Sequence, residues 1–240
     1  MTTFVLVHGG GYTAGCWDRL VPLLDGDVVA GDLPGRGRRP GDVSAVRLAD
    51  NVAATVEDIE SSGAERVVLV GHSMAGLTVA HVLNEVPERV CEVVLVSCTV
   101  PPHGSSVIGN IDPDVRASVL AGSGGGVFRL DEASAREILC NDMDEEQSAF
   151  ALARMVDEST AVLDEPVDLT GLWGDAPVTY VRLGDDKTLP PDQQEASIAA
   201  IRAGGKPVEL VDIQAGHMVM ISQPGVLASA LNRIASRVDG

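Results

Sequence analysis

Six short apolar runs, at residues 4–7, 28–30, 67–70, 93–96, 178–183 and 208–213, alternate with longer segments of helical period, and few folds accommodate that alternation. Runs this short and this rich in Val, Leu and Ile fit strands buried on both faces. Such strands are joined by helical crossovers, so the chain reads as an α/β protein with about six mostly parallel strands flanked by helices. Between the second and third runs, Leu48, Val52, Val56 and Ile59 recur at spacings of three and four, and Gly63 stands where a helix cap belongs. Leu77, Ala80, Leu83 and Val86 predict another helix, stopped by Pro87. A last helix is expected to turn Val226, Leu227, Leu231, Ile234 and Val238 inward.

One connection breaks the rhythm, because about eighty residues separate the fourth run from the fifth, far more than a crossover needs. Its first part is rich in Pro, Gly and Ser and contains Gly122-Ser123-Gly124-Gly125-Gly126, a flexible-loop composition. Its second part has helical pattern over 135–140 and 145–156, with Phe150, Leu152 and Met155 apolar. The expected organisation is a core of residues 1–99 and 173–240 and a helical cap of residues 100–172. That cap should lie over the carboxyl ends of the strands, where open α/β sheets bind ligands.

Charge narrows the partners. The formal net charge is −18, and residues 101–172 alone hold 14 acidic and 4 basic residues. Binding to nucleic acid or anionic lipid through phosphate contacts is disfavoured. No apolar run approaches the ~20 residues of a membrane helix, and the first residues lack a basic leader, so a cytoplasmic location is expected. Cys16, Cys91, Cys98 and Cys140 are scattered, without metal-ligand spacing, and no cofactor or metal is expected.

The third run leads directly into Gly71-His72-Ser73-Met74-Ala75-Gly76, which opens a helical segment. A serine on a tight strand-to-helix turn has its hydroxyl pushed clear of the backbone, and small neighbours let helix and strand pass closely. The usual Gly-x-Ser-x-Gly spacing is altered here, with Ala75 in the fifth place and glycine at Gly76. A serine hydroxyl needs a neighbouring base, itself held in one tautomer by a carboxylate. Asp185 and Asp186 follow the fifth run, and His217 follows the sixth, so Ser, Asp and His each come just past a strand end. His8, His72, His81 and His103 are the other histidines.

With these motifs the chain resembles the α/β-hydrolases over nearly its whole length. His8-Gly9-Gly10-Gly11 is similar to their oxyanion-loop motif, and Asp32-Leu33-Pro34-Gly35-Arg36-Gly37 to their Asp-x-x-Gly-x-Gly turn. The spacing from His8 to Trp17, the pair Asp186-Lys187 and His217-Met218-Val219-Met220 resemble the plant methylesterase and hydroxynitrile lyase group and its bacterial esterase relatives. The resemblance implies Ser73 as nucleophile, His217 as base and Asp186 as the acid, since Pro190 stands four residues after it. It implies Gly10 and Met74 as oxyanion donors, with Gly11 as the other choice for the first, and His8 as the residue holding that loop.

Gly11, Tyr12, His103, Phe128 and Phe150 are the expected substrate contacts, and Trp17 and Trp173 further wall candidates. With 3% aromatic residues the pocket should be mainly aliphatic and suit a small to medium apolar ester or lactone. The expected function is a carboxylesterase working through an acyl-enzyme. One alternative is a lyase of the hydroxynitrile type. Those lyases usually have lysine after the histidine and threonine in the oxyanion loop, where this chain has Met218 and Gly10. Another is a receptor or biosynthetic accessory protein that retains the three residues.

Overall fold

A computed structural model describes residues 2–110 and 124–238. The six apolar runs are strands: β1 (Thr3–Val7), β2 (Asp27–Gly31), β3 (Val67–His72), β4 (Val90–Val96), β7 (Val178–Leu183) and β8 (Glu209–Ile213). They pair in the order β2-β1-β3-β4-β7-β8, every pair parallel. Period-two alternation divides each strand between two cores. Val5, Val7, Leu69, Val93 and Leu95 face α1 (Leu48–Ser61), α2 (Ala75–Glu85) and α6 (Pro191–Arg202). Phe4, Leu6, Val68, Val70 and Val94 face Trp17, Leu20, α7 (Val219–Ser222) and α8 (Pro224–Val238). The inner strands β1, β3 and β4 are covered on both faces and are almost wholly apolar, whereas the edge strand β8 is half-exposed and carries Glu209 and Asp212.

The helices follow their apolar stripes. In α1, Leu48, Val52 and Ile59 are buried, and Gly63 follows in the left-handed region at φ 69°. In α8 the buried stripe is Leu227, Leu231 and Ile234, joined by Ala228 and Ala235. Val226 departs from expectation and is 48% exposed, because it lies about 100° around the helix from Leu227. Ala75 is itself buried, and the close approach of α2 falls to Gly76, where a Cβ would stand 2.6 Å from the Thr99 carbonyl oxygen.

Between β4 and β7 the described residues hold α3 (Glu132–Ile138), α4 (Glu145–Leu152), α5 (Thr160–Asp164) and a small antiparallel pair, β5 (Val127–Phe128) with β6 (Glu158–Ser159). The pair carries no extended apolar run, so no local pattern in the sequence marks it. Gly122 and Ser123 lie outside the described residues, while Gly124–Gly126 form a single turn. Helix α4 starts as expected, capped by Asp144, whose carboxylate accepts the Gln147 N–H at 2.8 Å. It ends four residues earlier than its pattern, since the Val156 N–H bonds the Gly11 carbonyl instead of continuing the helix.

Strand order also positions the site. Because β2 and β3 lie on opposite sides of β1, the chain leaves β1 and β3 in different directions and opens a crevice at their carboxyl ends. The glycine turn after β1 and Ser73 after β3 flank that crevice.

Candidate active site

Ser73 follows β3 with φ 56°, a left-handed conformation that costs a non-glycine residue about 1 kcal/mol or more. Its backbone is tied on both sides: Ser73 N–H donates to the Val96 carbonyl (3.1 Å), and the Ser73 carbonyl accepts from Thr99 N–H (3.0 Å). Across the crevice, a Cβ on Gly9 would stand 2.9 Å from the Ser73 Cβ, so the first turn must be glycine to pass so near.

His217, in the loop after β8, places Nε2 3.0 Å from Ser73 Oγ and Nδ1 2.6 Å from Asp186 Oδ2. A carboxylate on the Nδ1 side calls for the Nδ1–H tautomer, leaving Nε2 to accept from the serine hydroxyl. Asp186 is fully engaged: Ser97 Oγ donates to Oδ2 (2.7 Å), and the Thr188 and Leu189 N–H groups donate to Oδ1 (2.8 Å each). Burial alone would raise this carboxyl. The charge and hydrogen bond of His217, with those of Leu189 and Ser97, outweigh it and hold the group below its usual range. Asp185 faces solvent and accepts from Gln214 Nε2, so of the two neighbours only Asp186 reaches the histidine.

The other histidines have different tasks. His8 Nε2 accepts the Leu33 N–H (3.1 Å), so its Nδ1–H donates to the Gly9 carbonyl (2.8 Å). On a trans peptide the carbonyl and the following N–H point oppositely, so this bond aims the Gly10 N–H. His72 Nε2 donates to the His217 carbonyl (2.9 Å). Burial pushes His8 down to about 4 and His72 to about 3. Both stay neutral in the fold while the unfolded chain protonates near 6.5, so acid favours unfolding. Stability should therefore be flat above pH 6.5 and fall steadily toward pH 4, by on the order of 3 kcal/mol for each histidine. The depressed Asp186 carboxyl adds its loss only below the usual carboxylate range. Urea unfolding at a series of pH values measures this, and a constant midpoint between pH 6.5 and 4 would refute it.

Met74 precedes the first residue of α2, so its N–H has no acceptor within the helix. Together with the Gly10 N–H it borders a cavity of about 210 Å³ whose floor includes Ser73 and His217. Of the expected contacts, Gly11, Tyr12 and Phe128 line the cavity. His103 and Phe150 do not. His103 is exposed, accepts the Leu169 N–H at 3.1 Å and packs against Trp173. Phe150 lies between the guanidinium groups of Arg154 and Arg19, 3.3 and 4.4 Å from its ring centre. Trp17 is buried with its ring edge-on to His72, and Trp173 packs on His103, so neither forms a wall. Aromatic residue type marks a preference for burial, which Trp17 satisfies in the core, while Phe150 and Trp173 are half-buried against other partners.

Several walls come from aliphatic residues that no motif singles out, among them Leu130, Leu139, Met155 and Leu163 of the insertion, which also brings Arg129 and Glu158 to the cavity's edge. The insertion also grips the loops carrying the site. Asp142 Oδ2 accepts the Gly216 N–H (2.7 Å) beside His217, and Thr188 Oγ1 donates to the Ile138 carbonyl (3.0 Å) beside Asp186. Among the described residues no group of three or more His, Cys, Asp or Glu side chains is arranged to hold a metal, and no helix is long and apolar enough to cross a membrane.

Comparison with known proteins gives the same architecture. A model of the alpha/beta hydrolase family matches residues 4–230. The putative methylesterase 14, chloroplastic, of Arabidopsis thaliana is 28% identical over 211 residues, covering 80% of this chain and 61% of that protein. The probable esterase PIR7A of Oryza sativa subsp. indica is 27% identical over 98% of this chain and 97% of its own. An extracellular alpha/beta-hydrolase from a Paenibacillus species superposes with a TM-score of 0.87, covering 98% of this chain and 99% of the other at 22% identity.

Proposed function

The chain belongs to the alpha/beta hydrolase family, and from that premise we propose that it is a serine carboxylesterase acting on small to medium apolar esters or lactones. One observation carries this reading: the unbroken chain from Ser73 Oγ through His217 to Asp186, at 3.0 and 2.6 Å, on the floor of an apolar cavity. The names of the matched relatives, esterase and methylesterase, support it.

In this mechanism His217 Nε2 takes the hydroxyl proton as Ser73 Oγ attacks the ester carbonyl carbon. The carbonyl oxygen gains the negative charge and receives hydrogen bonds from the Gly10 and Met74 N–H groups, each worth about 3 kcal/mol in reactions of this type. His217 then passes its proton to the departing alkoxide, which leaves as the alcohol. Water, deprotonated by the same histidine, attacks the acyl-Ser73 ester, and collapse of the second intermediate returns the proton to Ser73 and frees the acid. The described residues of the 100–172 insertion serve as the cap over the site. Leu130, Leu139, Met155 and Leu163 make it suited to apolar groups. The net charge of −18 disfavours polyanionic esters.

A fluorophosphonate probe should add to one serine only, and mass mapping should find it in the peptide containing Ser73. Tight ligand binding without probe addition or turnover would replace the esterase with the receptor reading. Cyanide release from mandelonitrile without ester turnover would replace it with the lyase.

A further inference from the structure

Glu158 and Arg36 form a buried ion pair that the reaction chemistry above does not use. Arg36 Nη1 donates to Glu158 Oε2 (2.6 Å) and Nη2 to Oε1 (2.8 Å), with side-chain exposures of 1% and 4%. Arg36 lies in the turn after β2, and Glu158 in β6 of the insertion. The carboxylate has two further donors: Ser159 N–H on Oε1 (2.9 Å) and Gly11 N–H on Oε2 (3.0 Å). The Gly11 carbonyl is held as well, by the Val156 N–H at 2.8 Å. Both polar groups of Gly11, which has φ 71°, are therefore fastened to residues 156–158.

Gly10 stands between this clamp and the His8 bond to the Gly9 carbonyl. Its N–H can turn only if one of them yields. The carboxylate is also close, since a Cβ on Gly10 would meet Glu158 Oε2 at 3.3 Å. A lone carboxylate there would repel a developing oxyanion, and the two-point Arg36 contact balances its charge.

We propose that Glu158 is a positioning residue: it reaches from the insertion to lock the Gly10-Gly11 turn in its oxyanion-binding conformation, with Arg36 orienting and neutralising it. The inference rests on the esterase reading for its kinetic consequence, but the clamp itself can be observed without turnover.

Two variants test it. Glu158→Gln offers one acceptor where two are used, so its NH₂ faces Arg36 together with either the Gly11 or the Ser159 N–H, and the charge that anchors the Gly11 N–H is lost. The double variant Arg36→Met with Glu158→Met removes both charges at similar volume, an exchange that often leaves stability unchanged. Both should lower kcat on p-nitrophenyl acetate about 10- to 100-fold with KM nearly constant, the range expected when a reacting geometry is misplaced. A trifluoromethyl ketone, which forms an oxyanion on the serine, should lose affinity by the same factor. Hydrogen exchange of the peptide containing residues 8–13 should quicken in both variants while the rest of the protein stays protected. Glu158 also borders the cavity, so a raised KM at constant kcat would make it a substrate contact rather than a positioning residue and overturn the proposal, as would unchanged exchange in the folded double variant. Wild-type protein that hydrolyses no ester, with exchange still quickened in the variants, would overturn the esterase reading and uphold the clamp.

Discussion

Replacing Ser73 with alanine is expected to lower kcat on p-nitrophenyl acetate by about four to six orders of magnitude, the range seen when a nucleophile acting as part of a unit is removed. Alanine keeps the Cβ that packs beside Gly9 and the backbone bonds to Val96 and Thr99, so the turn should survive. What disappears is Oγ, the atom 3.0 Å from His217 Nε2 that forms the acyl-enzyme in the proposed mechanism. Residual catalysis from the oxyanion donors and from binding should leave a rate above that in water. Stopped assays on the folded variant, with thermal unfolding as a control, measure the loss. Hydrolysis at the wild-type rate would remove Ser73 from the mechanism.

The second large effect separates two adjacent carboxylates. Asp186→Asn should lower kcat by about four orders of magnitude, as loss of the orienting carboxylate does in this type of site. Asparagine can still accept the Thr188 and Leu189 N–H groups with its amide oxygen, which turns its NH₂ toward His217 Nδ1 and Ser97. Two donors cannot share that contact, so His217 must move its proton to Nε2 and lose the ability to accept from Ser73. Asp185→Asn touches only the solvent-side contact with Gln214 and should leave turnover unchanged. Equal kcat values for the two variants would sink the assignment of the acid.

The strands were legible because each is a statement about consecutive residues: Val67 to Val70 can be buried on both faces only within a sheet covered on both sides. The turn at Ser73 was legible for the same reason, since strand, small residues and helix adjoin in the chain. The walls of the cavity were not. Phe150 and His103 have types suited to a pocket, yet the arginines beside one and Trp173 beside the other give them different partners. Glu158 and Arg36, 122 residues apart, belong to no local pattern, and neither do Asp142 and Gly216, 74 apart.

The sequence by itself determined the alternation of strands and helices, the place of the long insertion, and the strand ends at which Ser73, Asp186 and His217 stand. These follow from periods and turn residues, whose physics is local. Only the tertiary structure decided that Asp186 turns inward while Asp185 faces water, which side chains wall the cavity, and that the insertion grips the glycine turn through Glu158. Those contacts join distant segments, and their energies exist only after packing has brought the partners together and removed the water between them.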